Sequence, residues 1–328
     1  GALMAASAAR GARWVWLATL ALLAGCMAAP PRALAPEDEP QPPPLMTGPT
    51  RVALVLSGGG LRGMAQLGVL RVLQDHGLRP DLVVGTSVGA IVGGAYASGV
   101  GIGVLEALPF PDELDPWGSL FVSSAQRSAG LESFLTRLLA QRRLQDFPMR
   151  FVAVATARQS GCVMLFGSGD AARAVTASSA LPGALAPVSI RGVPYADGGL
   201  GAPLAVRVAR ALGAEVVIAV DTTFHADPVV PPGIVDSVFH AGMVMARHLT
   251  LADRLTADLV LTPQLPPVAE VTLANRQLLA QAGATAALQQ IDRLRYLFAG
   301  AARRSVAVGA WPLPTMCPEQ PGHASASP

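Results

Sequence analysis

The sequence predicts an α/β fold, a mostly parallel central sheet with helices on both faces. Three observations predict it. Short continuous apolar runs alternate with segments of helical spacing, and two of those runs end in glycine-rich turns that lead straight into helices. The third is composition: 51% of the 328 residues are hydrophobic and 14% charged, enough apolar material to bury a sheet from both sides. One large domain or two small ones fit this length.

In chain order, Val52–Leu56 is the first strand, and Leu61, Met64, Leu67, Leu70 and Leu73 predict a helix from Leu61 to His76 that Gly77 stops. A second unit follows, with Leu82–Val84 as strand, Gly85–Gly89 as turn and Val88–Ser98 as a helix rich in small residues. Later strands are expected at Phe151–Thr156, Val163–Phe166, Val216–Val220 and Leu259–Leu261. Helices are expected at Leu131–Ala140, Pro203–Leu212, Ile234–Leu255 and Asn275–Leu297. In such sheets ligands sit at the carboxyl ends of the strands, which is where both glycine turns fall.

The ends of the chain read differently. Arg10 and Arg13 precede an apolar run, Trp14–Ala24, that ends in Leu23-Ala24-Gly25-Cys26. Eleven helical residues rise only about 16 Å, too little to span a bilayer, so residues 1–25 read as a signal peptide. The small-small-Cys ending resembles the lipobox of bacterial lipoproteins, which implies that Cys26 is lipidated and that the chain is anchored at the outer membrane, on its periplasmic face. Residues 26–50 carry eight prolines and the acidic run Glu37-Asp38-Glu39, and they predict an extended, solvated tether. The globular domain is expected over 51–300 and a polar tail over 301–328. Cys162 and Cys317 are compatible with a disulfide and equally with two free thiols.

Charge narrows the function classes. Basic residues number 24, all arginine, against 22 acidic ones, a net charge of +2. No basic run marks a nucleic-acid partner. No histidine or cysteine spacing marks a metal site. Neither a metal nor a cofactor is expected, and oligomeric state stays open.

Three motifs carry chemistry. The first turn, Ser57-Gly58-Gly59-Gly60-Leu61-Arg62-Gly63, contains G-x-G-x-x-G between strand and helix. A dinucleotide site of this kind places an acidic residue at the end of the next strand, and that strand ends instead in Gly85-Thr86-Ser87; Asp81 lies at its other end. The same loop also suits an oxyanion hole, since its glycines let consecutive backbone N–H groups point at one spot above a helix N-terminus. Arg62 reads as support for that loop or for the anion, or as a solvated side chain, and Gly63 belongs to the same motif. The second turn, Gly85-Thr86-Ser87-Val88-Gly89, is G-x-S-x-G, whose small residues permit a sharp strand-to-helix turn that exposes the serine hydroxyl. Ser87 is the candidate nucleophile, and a nucleophile needs a base. Asp197 in Asp197-Gly198-Gly199 is the candidate, although Asp-Gly-Gly alone is often only a turn.

Taken together, the glycine loop, G-x-S-x-G and Asp-Gly-Gly resemble the patatin-like phospholipase family over about Arg51 to Ala299, and Ala177-Ser178-Ser179-Ala180-Leu181-Pro182 matches that family's block before the aspartate. The resemblance implies a three-layer patatin-like architecture and a Ser87–Asp197 dyad without histidine, with Gly58, Gly59 and Gly60 donating the oxyanion N–H groups. It also implies hydrolysis of lipid acyl esters through an acyl-serine, with membrane lipids as substrate and anchor. Ala202 departs from the family, where many bacterial relatives carry Asn. Two rivals are a Ser-His-Asp esterase using His225, His240 or His248, and a lipoprotein that binds lipid with little turnover; a nicotinamide enzyme is third. Asp170 and Asp221 read as capping residues. Phe110–Phe121 reads as a lid, or as a loop packed on the core.

Overall fold

The structure is a computed structural model describing residues 32–43, 50–108, 122–223, 234–268, 272–300 and 313–318. Leu34–Pro328 forms one compact unit and Gly1–Ala33 another. The expected signal peptide, Cys26, the loop Phe110–Phe121, His225 and most of the tail lie outside the described residues.

β1 (Thr50–Leu56), β2 (Leu82–Thr86), β3 (Arg150–Ala157), β7 (Ala214–Val220) and β8 (Leu259–Leu261) run parallel. β4 (Val163–Phe166), β5 (Val188–Ile190) and β6 (Val193–Asp197) join antiparallel. The sheet order is β5-β6-β3-β2-β1-β7-β8, with β4 beside β3. The sheet is therefore mixed, with a parallel majority. Side chains alternate between two cores: Val52, Leu54 and Leu56 enter one, and Ala53 and Val55 the other. This period of two, apolar on both faces, is what a sheet covered on both sides requires.

The helices are α1 (Ala65–Asp75), α2 (Val88–Ala97), α3 (Ile102–Ala107), α4 (Ser124–Leu138), α5 (Ala171–Ser178), α6 (Val206–Ala211), α7 (Ile234–Thr256), α8 (Leu273–Gln289) and α9 (Ile291–Phe298). The predicted Leu61–His76 helix opens as a 3-10 turn, Gly60–Met64, before α1. The predicted Asn275–Leu297 helix is two, broken where Gln290 leaves helical geometry. α4 starts earlier than the apolar spacing indicates because Ser123 and Gln126 form a reciprocal capping box. Sequence reading missed α3 and the β5–β6 hairpin, and anticipated α5 only through its capping residue Asp170. The hairpin turns in two residues, Arg191 and Gly192, both at positive φ (50° and 79°), and its strands are too short for alternation to register.

Two expectations about the ends need correction. Within 36–43 the tether is no solvated spacer: Asp38 pairs with Arg143, Glu39 accepts from the Arg191 N–H (2.8 Å), and Gln41 bridges Ser168. Its carboxylates find arginines on the body and its backbone bonds Gly167 and Ser168 just past the end of β4, so docking wins over solvation. The tail is also tied down at one point, where Cys317 is disulfide-bonded to Cys162 and Thr315 accepts from the Val163 N–H (2.7 Å).

Candidate active site

The site is assembled by one strand, β3. Its residues 153–156 pair with β4 along one edge, so β2 and β6 share the other. β2 ends where Thr86 pairs with Val154, and β6 ends where Asp197 pairs with Ala155. Consecutive residues of β3 thus place the residue after Thr86, Ser87, beside Asp197. The Ser87 hydroxyl donates directly to Asp197 Oδ2 at 2.6 Å.

Ser87 stands at φ 56°, ψ −126°, between β2 and α2. A non-glycine residue in that region stores backbone strain of order 1–3 kcal/mol and persists only where its surroundings dictate it. Here they do. The Ser87 N–H donates to Ser178 Oγ (3.0 Å), Ser178 donates to the Val154 carbonyl (2.6 Å), and Ser179 donates to the Ser87 carbonyl (3.2 Å). A side chain at Gly89 would sit 2.3 Å from the Leu56 carbonyl oxygen, and one at Gly85 would sit 2.4 Å from that of Gly89. The sharp turn closes only because both positions lack Cβ.

Asp197 is 3% exposed. Desolvation lifts its pKa from 3.8 to about 6; the Ser87 hydroxyl and the Gly199 N–H, which donates to Oδ1 at 2.7 Å, pull the other way and only partly offset burial. Gly198 lacks Cβ because one would lie 2.1 Å from the Val154 carbonyl oxygen, and Gly199 passes within 3.0 Å of the carboxylate. The turn is further fixed by Asp197 N–H to the Ala180 carbonyl (3.0 Å). Ala202, the departure from the family pattern, contributes its carbonyl, which accepts from Thr86 Oγ1 at 3.0 Å.

The glycine loop lies against Ser87, with Gly58 packed 3.5 Å from Ser87 Cβ as measured from the position its own Cβ would take. Of the three glycines expected to supply oxyanion donors, Gly58 is corrected: its N–H donates to the Pro203 carbonyl at 3.0 Å. Past Ser57, whose N–H still bonds Val220 of β7, the chain turns its next N–H to the loop that follows Gly198–Leu200. Gly59 and Gly60, at φ 144° and 57°, have N–H groups with no protein acceptor among the described residues, and so does Val88, the first residue of α2. Arg62 Nε reaches the Gly59 carbonyl at 3.4 Å, and Gly63 packs against Val88. Behind the loop lies a buried clamp. Thr222 Oγ1 donates to the Gly58 carbonyl (2.8 Å), the Thr222 N–H donates to Ser57 Oγ (2.8 Å), and a Gly59 Cβ would collide with Thr222 Oγ1 at 2.6 Å.

The two histidine rivals among the described residues are not brought in. His240 and His248 lie on α7, and the Asp197 carboxylate bonds Ser87 and Gly199 instead. A triad needs an imidazole between serine and aspartate, and at 2.6 Å no ring fits between them. Asp170 caps α5 as expected, accepting from Arg173 N–H at 2.8 Å. Asp221 does not cap a helix. It accepts from Thr223 N–H (2.9 Å) and pairs with Arg254 at 2.5 Å. Sequence reasoning missed the roles of Ser178, Ser179, Thr222 and Val88; the small-residue block 177–182 was the only visible signal for the first two.

A family model described as patatin-like phospholipase matches residues 54–210. Lysophospholipase NTE1 of Scheffersomyces stipitis is 32% identical over 178 residues, covering 52% of this chain and 12% of that protein. Patatin-like phospholipase domain-containing protein 7 of Rattus norvegicus is 30% identical over 187 residues, 54% of this chain and 14% of that protein. An uncharacterized NTE family protein of Mycobacterium bovis is 32% identical over 176 residues, 52% of this chain and 48% of that protein. The chain therefore spans half or less of these relatives. Among solved structures, VipD from Legionella pneumophila is similar with a TM-score of 0.44 at 16% identity, covering 83% of this chain and 72% of that one.

Proposed function

We propose, from the premise that this chain carries a patatin-like phospholipase domain over residues 54–210, that it hydrolyses acyl esters of lipids, phospholipids or lysophospholipids, on a Ser87–Asp197 dyad. The observation that carries the reading is the direct 2.6 Å bond from the Ser87 hydroxyl to a buried carboxylate.

The chemistry follows from the geometry. As Ser87 Oγ attacks the ester carbonyl, its proton passes to Asp197 Oδ2, along the bond already made. Burial is what makes this aspartate a competent base: a pKa near 6 lies closer to neutral pH than an ordinary carboxylate's. The oxyanion that forms is met by the free N–H groups of Gly59, Gly60 and Val88, donors fixed before the reaction begins. Collapse expels the alcohol, which takes the proton from Asp197. Water then attacks the acyl-serine with its proton passing to Asp197, and collapse breaks the bond to Ser87 Oγ, which takes that proton back as the acid leaves. Lipid substrates are carried over from what the relatives' names state.

The same reading puts the domain at the outer membrane, lipidated on Cys26. In support, the Cys162–Cys317 disulfide suits an oxidising compartment. Mass spectrometry of the N-terminal peptide tests the acylation, and an unmodified Cys26 in membrane-derived protein rejects it.

Fluorophosphonate labelling located by peptide mass tests the dyad. Label on Ser87 that is lost in Asp197→Asn and kept in His248→Ala is the expected result. Folded protein that takes no label shifts the reading to a lipid-binding lipoprotein.

A further inference from the structure

α7 is amphipathic the wrong way round. Toward the body it turns its polar side chains: Thr250, Asp253 and Thr256 are buried. Asp253 pairs with Arg207 (3.0 Å) and accepts from the Arg207 N–H (2.8 Å), while Arg254 pairs with the fully buried Asp221. Toward solvent it turns Val244, Met245, Leu249, Leu251 and Leu255, which are 43, 66, 40, 44 and 68% exposed. At 100° per residue these fall within one arc over residues 240–256, which also holds Ala241, Ala252, one ionisable side chain, His248, and, in the last turn, the buried Thr256, whose hydroxyl bonds the helix's own carbonyls of Ala252 and Asp253. Soluble monomers rarely leave so continuous an apolar face uncovered.

Three features say what covers it. The arc carries no tryptophan, tyrosine or arginine, the anchors that protein interfaces favour, and almost no hydrogen-bonding group, which suits hydrocarbon. No helix among the described residues is long and apolar enough to cross a membrane, and the inward ion pairs hold α7 flat along the body, so its face can only lie on a surface. Its position is the third. α7 packs against the turn Gly198–Leu200 that directly follows Asp197, and Leu200 on that turn is itself 51% exposed.

We propose that the outward face of α7 is a lipid-docking surface. It lies in the boundary between headgroups and acyl chains and holds the Ser87–Asp197 site against the layer from which a lipid ester is drawn. The inference rests on the lipid-ester reading and adds the surface by which the substrate is reached. The face carries no formal charge apart from any on His248, so its attachment is to neutral lipid and resists salt.

The test uses the full chain with Cys26→Ser and Met245→Cys, bearing an environment-sensitive fluorophore at 245, mixed with phosphatidylcholine vesicles carrying acyl-chain nitroxides. A blue shift and quenching that persist in high salt are expected at 245. None is expected at Glu215→Cys, at the opposite end of β7. A label at 245 that stays in water while the chain floats with the vesicles overturns the proposal. So does sedimentation showing that, without lipid, the face pairs two copies of the chain. Kinetics separate docking from chemistry. The double variant Met245→Asp, Leu249→Asp should lose about tenfold or more on vesicle phospholipid while keeping its rate on a soluble short-chain ester. Equal rates on both substrates, relative to the parent, overturn docking. If neither substrate is hydrolysed by the parent, the ester reading fails and the fluorophore still decides docking.

Discussion

Replacing Asp197 by Asn should cost the reaction and stabilise the protein, by an amount that depends on pH. Burial raises the carboxyl from 3.8 to about 6, a shift of about two units that corresponds to about 3 kcal/mol. The sign follows from proton counting. Between those two values the native state holds a proton that the unfolded chain has already released, so stability falls as pH rises through the window. Below it the group contributes nothing; above it the full penalty applies. Asn keeps an oxygen for the Gly199 N–H and can donate to Ser87 Oγ, but does not titrate. The stability advantage of Asp197→Asn over the parent should therefore grow from under about 1 kcal/mol at pH 4 to about 3 kcal/mol at pH 7, and stay flat above. Urea unfolding of both proteins across this range measures it, and taking the difference cancels every other titrating group. An advantage that does not change with pH would refute the desolvated carboxylate, and with it the tuned base.

Four further outcomes follow from the same geometry. The value of kcat/KM on a soluble ester should rise with pH through an apparent pKa of about 6 as Asp197 loses its proton, and a profile flat from pH 5 to 8 would remove Asp197 as base. Thr222→Val, which frees the Gly58 carbonyl behind the oxyanion loop, should lower kcat by about tenfold to a hundredfold with KM little changed, Thr222→Ser restoring it; equal loss in both variants would mean packing, not the hydroxyl, matters. Gly89→Ala should destabilise by about 1–3 kcal/mol or more, read by thermal unfolding, because its methyl meets the Leu56 carbonyl oxygen at 2.3 Å and backbone cannot step aside; an unchanged melting temperature refutes that contact. Cys317→Ser opens a cross-link of sequence separation 155 and should cost up to about 5 kcal/mol, seen as a lower urea midpoint that reductant reproduces in the parent; a parent indifferent to reductant argues against the bond.

How much of this was legible depends on the range of the interaction. Ser87, Asp197 and the glycines announce themselves because sharp turns leave local marks: small residues at fixed offsets. Strands β1, β2, β3, β4 and β7 were legible because a strand buried on both faces must be apolar throughout. The β5–β6 hairpin was not, since three- and five-residue strands around Pro194 carry no periodic pattern. The docked segment 36–43 was misread because prolines and acids describe a chain's local stiffness and charge, and say nothing of the arginines waiting elsewhere.

By itself, then, the sequence determined which residues are the candidates for the reacting groups and the order of the main elements, both consequences of local sterics and burial. Only the tertiary structure decided which groups meet. Register on β3 sets the serine beside the aspartate without an imidazole. A backbone bond to Pro203 removes Gly58 from the donor set. Thr222 arrives 164 residues later in the chain to fix that loop. An apolar helix pattern does not tell which face points inward, and on α7 the ion pairs to Arg207 and Asp221 turn the leucines out. Such contacts join residues far apart in the chain, and their energies depend on burial and distance, quantities that exist only once the chain has folded.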